Sequence, residues 1–126
     1  MIDTHLHLDD PAFSGKVDEI IAQMTLCGVE LAINNSCDFA TMHSGVALAD
    51  KYEQIFATVG MHPHDSKSFD DAFERDMRAL AANPKVVAVG EIGLDYHYDL
   101  SDRDVQRDVF ARQIEIADEL KLPLTL

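Results

Sequence analysis

The feature that most constrains this chain is an alternation of apolar strand and amphipathic helix with a period of roughly thirty residues, the length of one βαβ step. Apolar runs begin near residues 2, 30, 55, 86 and 123. Ile2 to Leu6 reads as a strand, and Val17, Ile20, Ile21 and Met24 then recur at helical spacing until Gly28 closes the helix. Leu31-Ala32-Ile33 is the second strand, followed by a helix marked by Phe39, Met42, Val46 and Ala49 with Asp38 as N-cap. Ile55 to Val59 is the third strand. The third helix is predicted to start near Ser68, with Asp71 as its capping partner and an apolar stripe of Phe69, Phe73, Met77 and Leu80. Asn83-Pro84 stops it. Val86 to Val89 is apolar on both faces, as in a parallel strand covered on each side. Ser101 and Asp104 are expected to cap a fourth helix carrying Val109, Phe110, Ile114, Ala117 and Leu120, and Leu122 to Leu126 opens a fifth strand.

Parallel strands joined through helices require right-handed crossovers, and eight such units of about 250 residues close a barrel. The 126 residues supply about half of that number. The expected fold is therefore α/β: a parallel (β/α) repeat forming the N-terminal half of a TIM-type (β/α)8 barrel, one domain over residues 1–126 that ends in strand five. A half-barrel exposes two sheet edges and an apolar face, so self-association of the chain is expected.

Composition narrows the partners. Ten basic against 23 acidic side chains give a net charge of −13, which disfavours a basic groove that tracks nucleic acid. Phosphate chemistry on such a protein would need bound cations. Cys27 and Cys37 are too few for a zinc ribbon and are expected to be reduced, buried thiols. The opening Met-Ile-Asp-Thr-His lacks the features of a signal peptide, and no apolar run is long enough for a membrane span, so a cytoplasmic protein without membrane contacts is expected.

Histidines gather where strands end. His5 and His7 are two apart on strand one and so share a face; His62 and His64 follow strand three, and Glu91 follows strand four. Each has an ordinary explanation alone. A single His-x-His is common, His62-Pro63-His64 suits a surface turn, and Glu91 between Gly90 and Gly93 suits an exposed loop. At successive strand ends of a barrel they converge on one mouth, where imidazoles and a carboxylate suit a divalent metal. His43 reads as a surface residue of the second helix, and His97 as a loop residue.

Asp-Thr-His-Leu-His-Leu-Asp (3–9), Val-Gly-Met-His-Pro-His (59–64), Gly-Glu-Ile-Gly-Leu-Asp-Tyr-His (90–97) and Gln-Arg-Asp-Val-Phe-Ala-Arg-Gln (106–113) resemble the TatD family from end to end. Members of that family are metal-dependent deoxyribonucleases on an amidohydrolase-like barrel. The resemblance implies that His5, His7 and Glu91 bind divalent metal (magnesium, manganese or zinc, one or two ions in a complete barrel), with Glu91 able to bridge. It implies catalytic roles for His62 and Glu91, with His62 near the scissile phosphate of a DNA substrate. His64, Asp95 and Tyr96 would orient the site or meet substrate, and Gln106 and Arg107 would be mainly structural. The family's further ligands, from strands five, six and eight, have no counterparts here, so the chain could lack activity. A small-molecule amidohydrolase and a non-catalytic, self-associating half-barrel are the alternatives.

Overall fold

A computed structural model describes residues 1–126. Four strands, β1 (Ile2–Leu6), β2 (Leu31–Asn34), β3 (Ile55–Val59) and β4 (Val86–Val89), alternate with helices α1 (Val17–Leu26), α2 (Phe39–Lys51), α3 (Asp71–Leu80) and α4 (Arg103–Leu120). The sheet order is β1-β2-β3-β4 and every pairing is parallel, with Ile2 beside Leu31, Ala32 beside Ile55 and Ala57 beside Val86. A fifth strand begins where the sequence places it. Leu124 forms a parallel bridge to Val89, and the Thr125 N–H donates to the Val89 carbonyl at 2.9 Å. The architecture is the expected parallel α/β repeat. No helix is long and apolar enough to cross a membrane.

The helices cover one side of the sheet. Met42, Val46 and Ala49 of α2, Phe73 and Met77 of α3, and Ile116 and Ala117 of α4 join Ala32, Ile55, Ala57, Val59 and Val86 in one buried cluster. Alternate strand residues Ile33, Phe56 and Val87 turn away from it and are only half-buried. On that side, Thr4, Ile33, Val87, Leu124 and Leu126 help to line an open concavity of about 470 Å³.

Local signals explain most boundaries. Asp38 caps α2 through a capping box in which its carboxylate accepts from the Thr41 N–H at 2.8 Å and the Thr41 hydroxyl accepts from the Asp38 N–H at 2.8 Å. Gly28, at φ +80°, takes the left-handed turn that follows α1.

Four expectations are corrected. The cap of α3 is Asp70, not Ser68: its carboxylate accepts from the Phe73 N–H at 2.8 Å, while Ser68 and Phe69 belong to and follow a 3-10 turn that Pro63 starts. Ser101 does not cap α4. It is buried and its hydroxyl donates to the His64 carbonyl at 2.8 Å, tying two loops together. Ile114 and Phe39 are exposed, and the buried stripe of α4 runs instead through Gln106, Val109, Gln113, Ile116 and Ala117. Cys27 is exposed too, because it sits just past the end of α1.

Helices α3 and α4 are joined by charge as well as by packing. Glu74 accepts from Arg78 at 2.9 Å and from Arg112 at 2.7 and 2.9 Å, and its side chain is 19% exposed. The Arg112 guanidinium, together with Arg78, outweighs burial and holds the Glu74 carboxyl below the ordinary carboxylate range. A depressed pKa means that this stabilisation is complete above the ordinary glutamate range and is lost as pH falls through the folded value. Glu74→Gln is expected to cost about 1 kcal/mol at neutral pH. Thermal melts of variant and parent should converge in strong acid; a pH-independent gap would mean that packing, not charge, is what Glu74 supplies.

Candidate metal centre and active site

Backbone hydrogen bonds lace the strand ends together. The Asn35 N–H donates to the Leu6 carbonyl at 2.9 Å, the His62 N–H to the Cys37 carbonyl at 2.7 Å, and the Glu91 N–H to the Ser36 carbonyl at 2.7 Å. The backbones of His62 and Glu91 therefore both hang from the segment Ser36-Cys37 that follows β2. Ser36 adds a second tie, with its buried hydroxyl 3.0 Å from the Gly60 carbonyl and 2.9 Å from that of Gly90. The Thr58 hydroxyl accepts from the Ser36 N–H at 3.0 Å and donates to Gly90. Glycine is required where β3 and β4 end: a Cβ on Gly60 would lie 3.0 Å from the Gly90 backbone, and one on Gly90 would lie 2.6 Å from the Thr125 side chain.

At the centre stands the Glu91 carboxylate. His5 Nε2 is 3.1 Å and His7 Nε2 3.7 Å from Oε2, while His62 Nε2 is 3.7 Å from Oε1. The ligand atoms of His5, His7 and Glu91 lie within 4.8 Å of one another, close enough to share one ion. The structure thus brings together the four residues that carry the metal and catalytic reading.

The ring nitrogens divide the histidines by role. His7 Nδ1 is 2.9 Å from the Asn35 carbonyl, which can only accept, so Nδ1 carries the proton and Nε2 presents a lone pair towards Glu91. His62 is the reverse. Its Nδ1 accepts from the His64 N–H at 3.2 Å, so the neutral ring holds its proton on Nε2. His7 thus presents an acceptor nitrogen to Glu91, and His62 an N–H donor. Burial lowers the His62 pKa, with His64 adding to the effect and Glu91 opposing it, which favours that neutral ring. Two imidazole nitrogens and a carboxylate oxygen, with a backbone carbonyl fixing one ring, are the donor set of a divalent transition-metal site.

Of the remaining candidates, His64 Nε2 bonds to Asp95 Oδ2, and the Asp95 Oδ1 accepts from the N–H groups of His97 and Tyr98 at 2.9 and 3.2 Å. Burial opposes ionisation of Asp95, but these two N–H groups and the His64 ring outweigh it and hold its pKa low. Tyr96 lies elsewhere: Arg103 stacks 4.7 Å over its ring and Arg107 reaches its hydroxyl at 3.4 Å. Arg107 also pairs with Asp104, and His43 with Asp76 on the outer surface.

Sequence reasoning missed part of the scaffold. Asn34, Asn35, Ser36 and Thr58 are all fully buried and polar. The run Asn34-Asn35-Ser36 directly after an apolar strand was the available signal. Cys37 was read only as an inert thiol, yet its sulfur is 4.0 Å from His7 Nδ1; burial, with Glu91 nearby, pushes its pKa up to about 12. Gln113 grips both backbone groups of Met61, at 2.7 and 3.0 Å, and Gln106 grips those of Asp95, at 2.8 and 3.0 Å. Glutamine in a helix gives no sign of such burial.

A parallel sheet with His-x-His at the end of its first strand and a carboxylate after its fourth is the arrangement of a metal-dependent (β/α) barrel. A family profile described as "TatD related DNase" matches residues 2–126, and the chain belongs to that family. It is 34% identical over all 126 residues to the "Uncharacterized metal-dependent hydrolase YabD" of Bacillus subtilis, covering 49% of that protein. It is also 34% identical to the "3'-5' ssDNA/RNA exonuclease TatD" of Cronobacter sakazakii, covering all of this chain and 48% of that one. The TatD homolog YJJV of Escherichia coli superposes with a TM-score of 0.90 at 31% identity, over 98% of this chain and 49% of the other. The chain spans about half the length of the curated relatives it matches.

The tautomers are directly checkable. In long-range proton–nitrogen NMR spectra of the metal-free protein, neutral His7 should carry its proton on Nδ1 and neutral His62 on Nε2. The same tautomer at both rings would dissolve the division of roles.

Proposed function

We propose that the chain carries metal-binding and phosphate-contacting residues of a metal-dependent phosphodiesterase acting on single-stranded nucleic acid ends. The observation that supports this most is the convergence of His5, His7 and His62 on one carboxylate, Glu91, from the ends of β1, β3 and β4. His5, His7 and Glu91 would hold the ion. An ion held there would polarise a phosphoryl oxygen and make a bound water more acidic. In the free protein the His5 Nε2–H bonds to Glu91, so that proton must leave when the nitrogen becomes a ligand.

The other residues act on the substrate. His62, with its proton on Nε2, would donate to a phosphoryl oxygen beside Glu91, and its partial burial strengthens that bond. His64 fixes this orientation through its backbone N–H, and Asp95 fixes His64. The exonuclease name of a relative favours nucleic acid over small amides as substrate. The two free thiols agree with a reducing compartment, which we take to be the cytoplasm.

Titration calorimetry with manganese, zinc and magnesium is expected to show one ion per chain, bound no tighter than micromolar, with the binding heat lost in Glu91→Gln. Submicromolar zinc at one per chain would mean that a fuller ligand set exists. End-labelled single-stranded DNA should release nucleotides in a metal-stimulated manner while an amide panel stays intact. Cleavage of amides alone would sink the phosphodiesterase reading.

The sheet also leaves surfaces uncovered. Strand β1 is an edge, Ile2 and Leu31 on the first two strands are exposed, and exposed Leu124 and Leu126 line the open concavity. We propose that a second copy covers this face. Light scattering is expected to give a dimer or larger species; a stable monomer at high concentration would refute it.

A further inference from the structure

One side chain beside the candidate site is unaccounted for by the fold. Tyr98 is 66% exposed, although it lies in the loop between β4 and α4 whose backbone is held at several points. Its N–H is bound by Asp95, whose own backbone is gripped by Gln106, and Ser101 anchors the end of the loop to His64. The base is stiff and the ring is free. Neighbouring Tyr96 shows the contrast, because its ring and hydroxyl are both engaged by arginines of α4. Among aromatic rings, Tyr98 meets those of His64, at 5.6 Å, and His97, at 4.7 Å, both nearly perpendicular to it.

Tyr98 also borders a cleft of about 500 Å³ that reaches Glu91 and His62, with Leu94 and Phe110 among its apolar walls. That volume is within the usual range for a small-molecule site. The lining of the cleft includes a donor for a phosphate, His62, beside Glu91, whose carboxylate would face a phosphate across a bound cation, and it includes apolar and aromatic groups suited to a flat ring. The net charge of −13 leaves little cationic surface to neutralise a polynucleotide backbone. A stacking contact supplies affinity that does not depend on that charge, and it tolerates any base.

We infer that Tyr98 is the stacking platform for the terminal nucleobase of a single-stranded nucleic acid whose phosphate lies at Glu91 and His62. This rests on the phosphodiesterase reading above and names the subsite that reading lacks. The ligand class is an unpaired nucleobase, held by its face and with no choice between bases.

The test compares two probes by fluorescence anisotropy: a dye-labelled oligothymidylate with an intact terminal base, and the same oligomer with a terminal abasic sugar. The parent protein is expected to bind the intact oligomer at least about fivefold more tightly, the lower bound of base–aromatic stacking. Tyr98→Ala should erase that preference by weakening the intact oligomer alone, and Tyr98→Phe should keep it. The preference should change little with salt, whereas overall affinity falls. Circular dichroism should show the alanine variant folded, since the ring packs against little. Both oligomers binding the parent equally, or a preference that survives in Tyr98→Ala, would overturn the inference while leaving the phosphodiesterase reading intact. Binding of neither oligomer by the metal-loaded parent would overturn both.

Discussion

Everything at the candidate site depends on how closely the ends of β3 and β4 approach. Gly60 lets the end of β3 lie against the Gly90 backbone, and Gly90 in turn leaves room for Thr125. The Ser36 and Thr58 hydroxyls then bind the Gly90 carbonyl from inside the protein, and Ser36 receives the Glu91 N–H. These are buried polar groups that satisfy one another, so they stabilise the arrangement only as a set. The carboxylate of Glu91 is consequently a product of the sheet's geometry rather than of its own loop. Moving β3 relative to β4 would displace it from His5, His7 and His62 together.

That shared carboxylate makes sense of the acidic composition. A protein of net charge −13 has no basic field with which to gather phosphates. It has instead a small set of imidazoles disposed by backbone groups. His7 is turned by the Asn35 carbonyl and His62 by the His64 N–H, so chemically identical rings present a lone pair in one case and a proton in the other. Local hydrogen bonds, rather than net charge, set what each ring presents to the candidate site.

The strands and the four central site residues were legible because apolar periodicity and strand-end position are local patterns that survive folding. Asp38 was legible as a cap for the same reason. Ser68 and Ser101 were not: both sit in sequences that mimic a cap, but Asp70 offers a better-placed oxygen and Ser101 is drawn away to His64. Gln106 was expected to be structural, but its partners, and those of Gln113, were hidden for the opposite reason. Both glutamines are polar residues on a face whose other members are apolar, and only the tertiary structure supplies the Asp95 and Met61 backbones that satisfy them. The reach of Asp95 to His64, and the freedom of Tyr98 beside a clamped Tyr96, likewise come from loop conformation, which residue spacing does not encode.

The two glutamines have a mechanical consequence. They stand seven residues apart, about two turns along the same side of α4. Gln113 carries the segment that leads into His62, and Gln106 carries the one that bears Asp95. Both loops are thus fastened to a single rod, independently of the sheet. When the rod tilts or slides, the donor histidine and the aspartate that braces it travel together, so thermal breathing of the helix layer alters their common distance from β1 more than their spacing from each other.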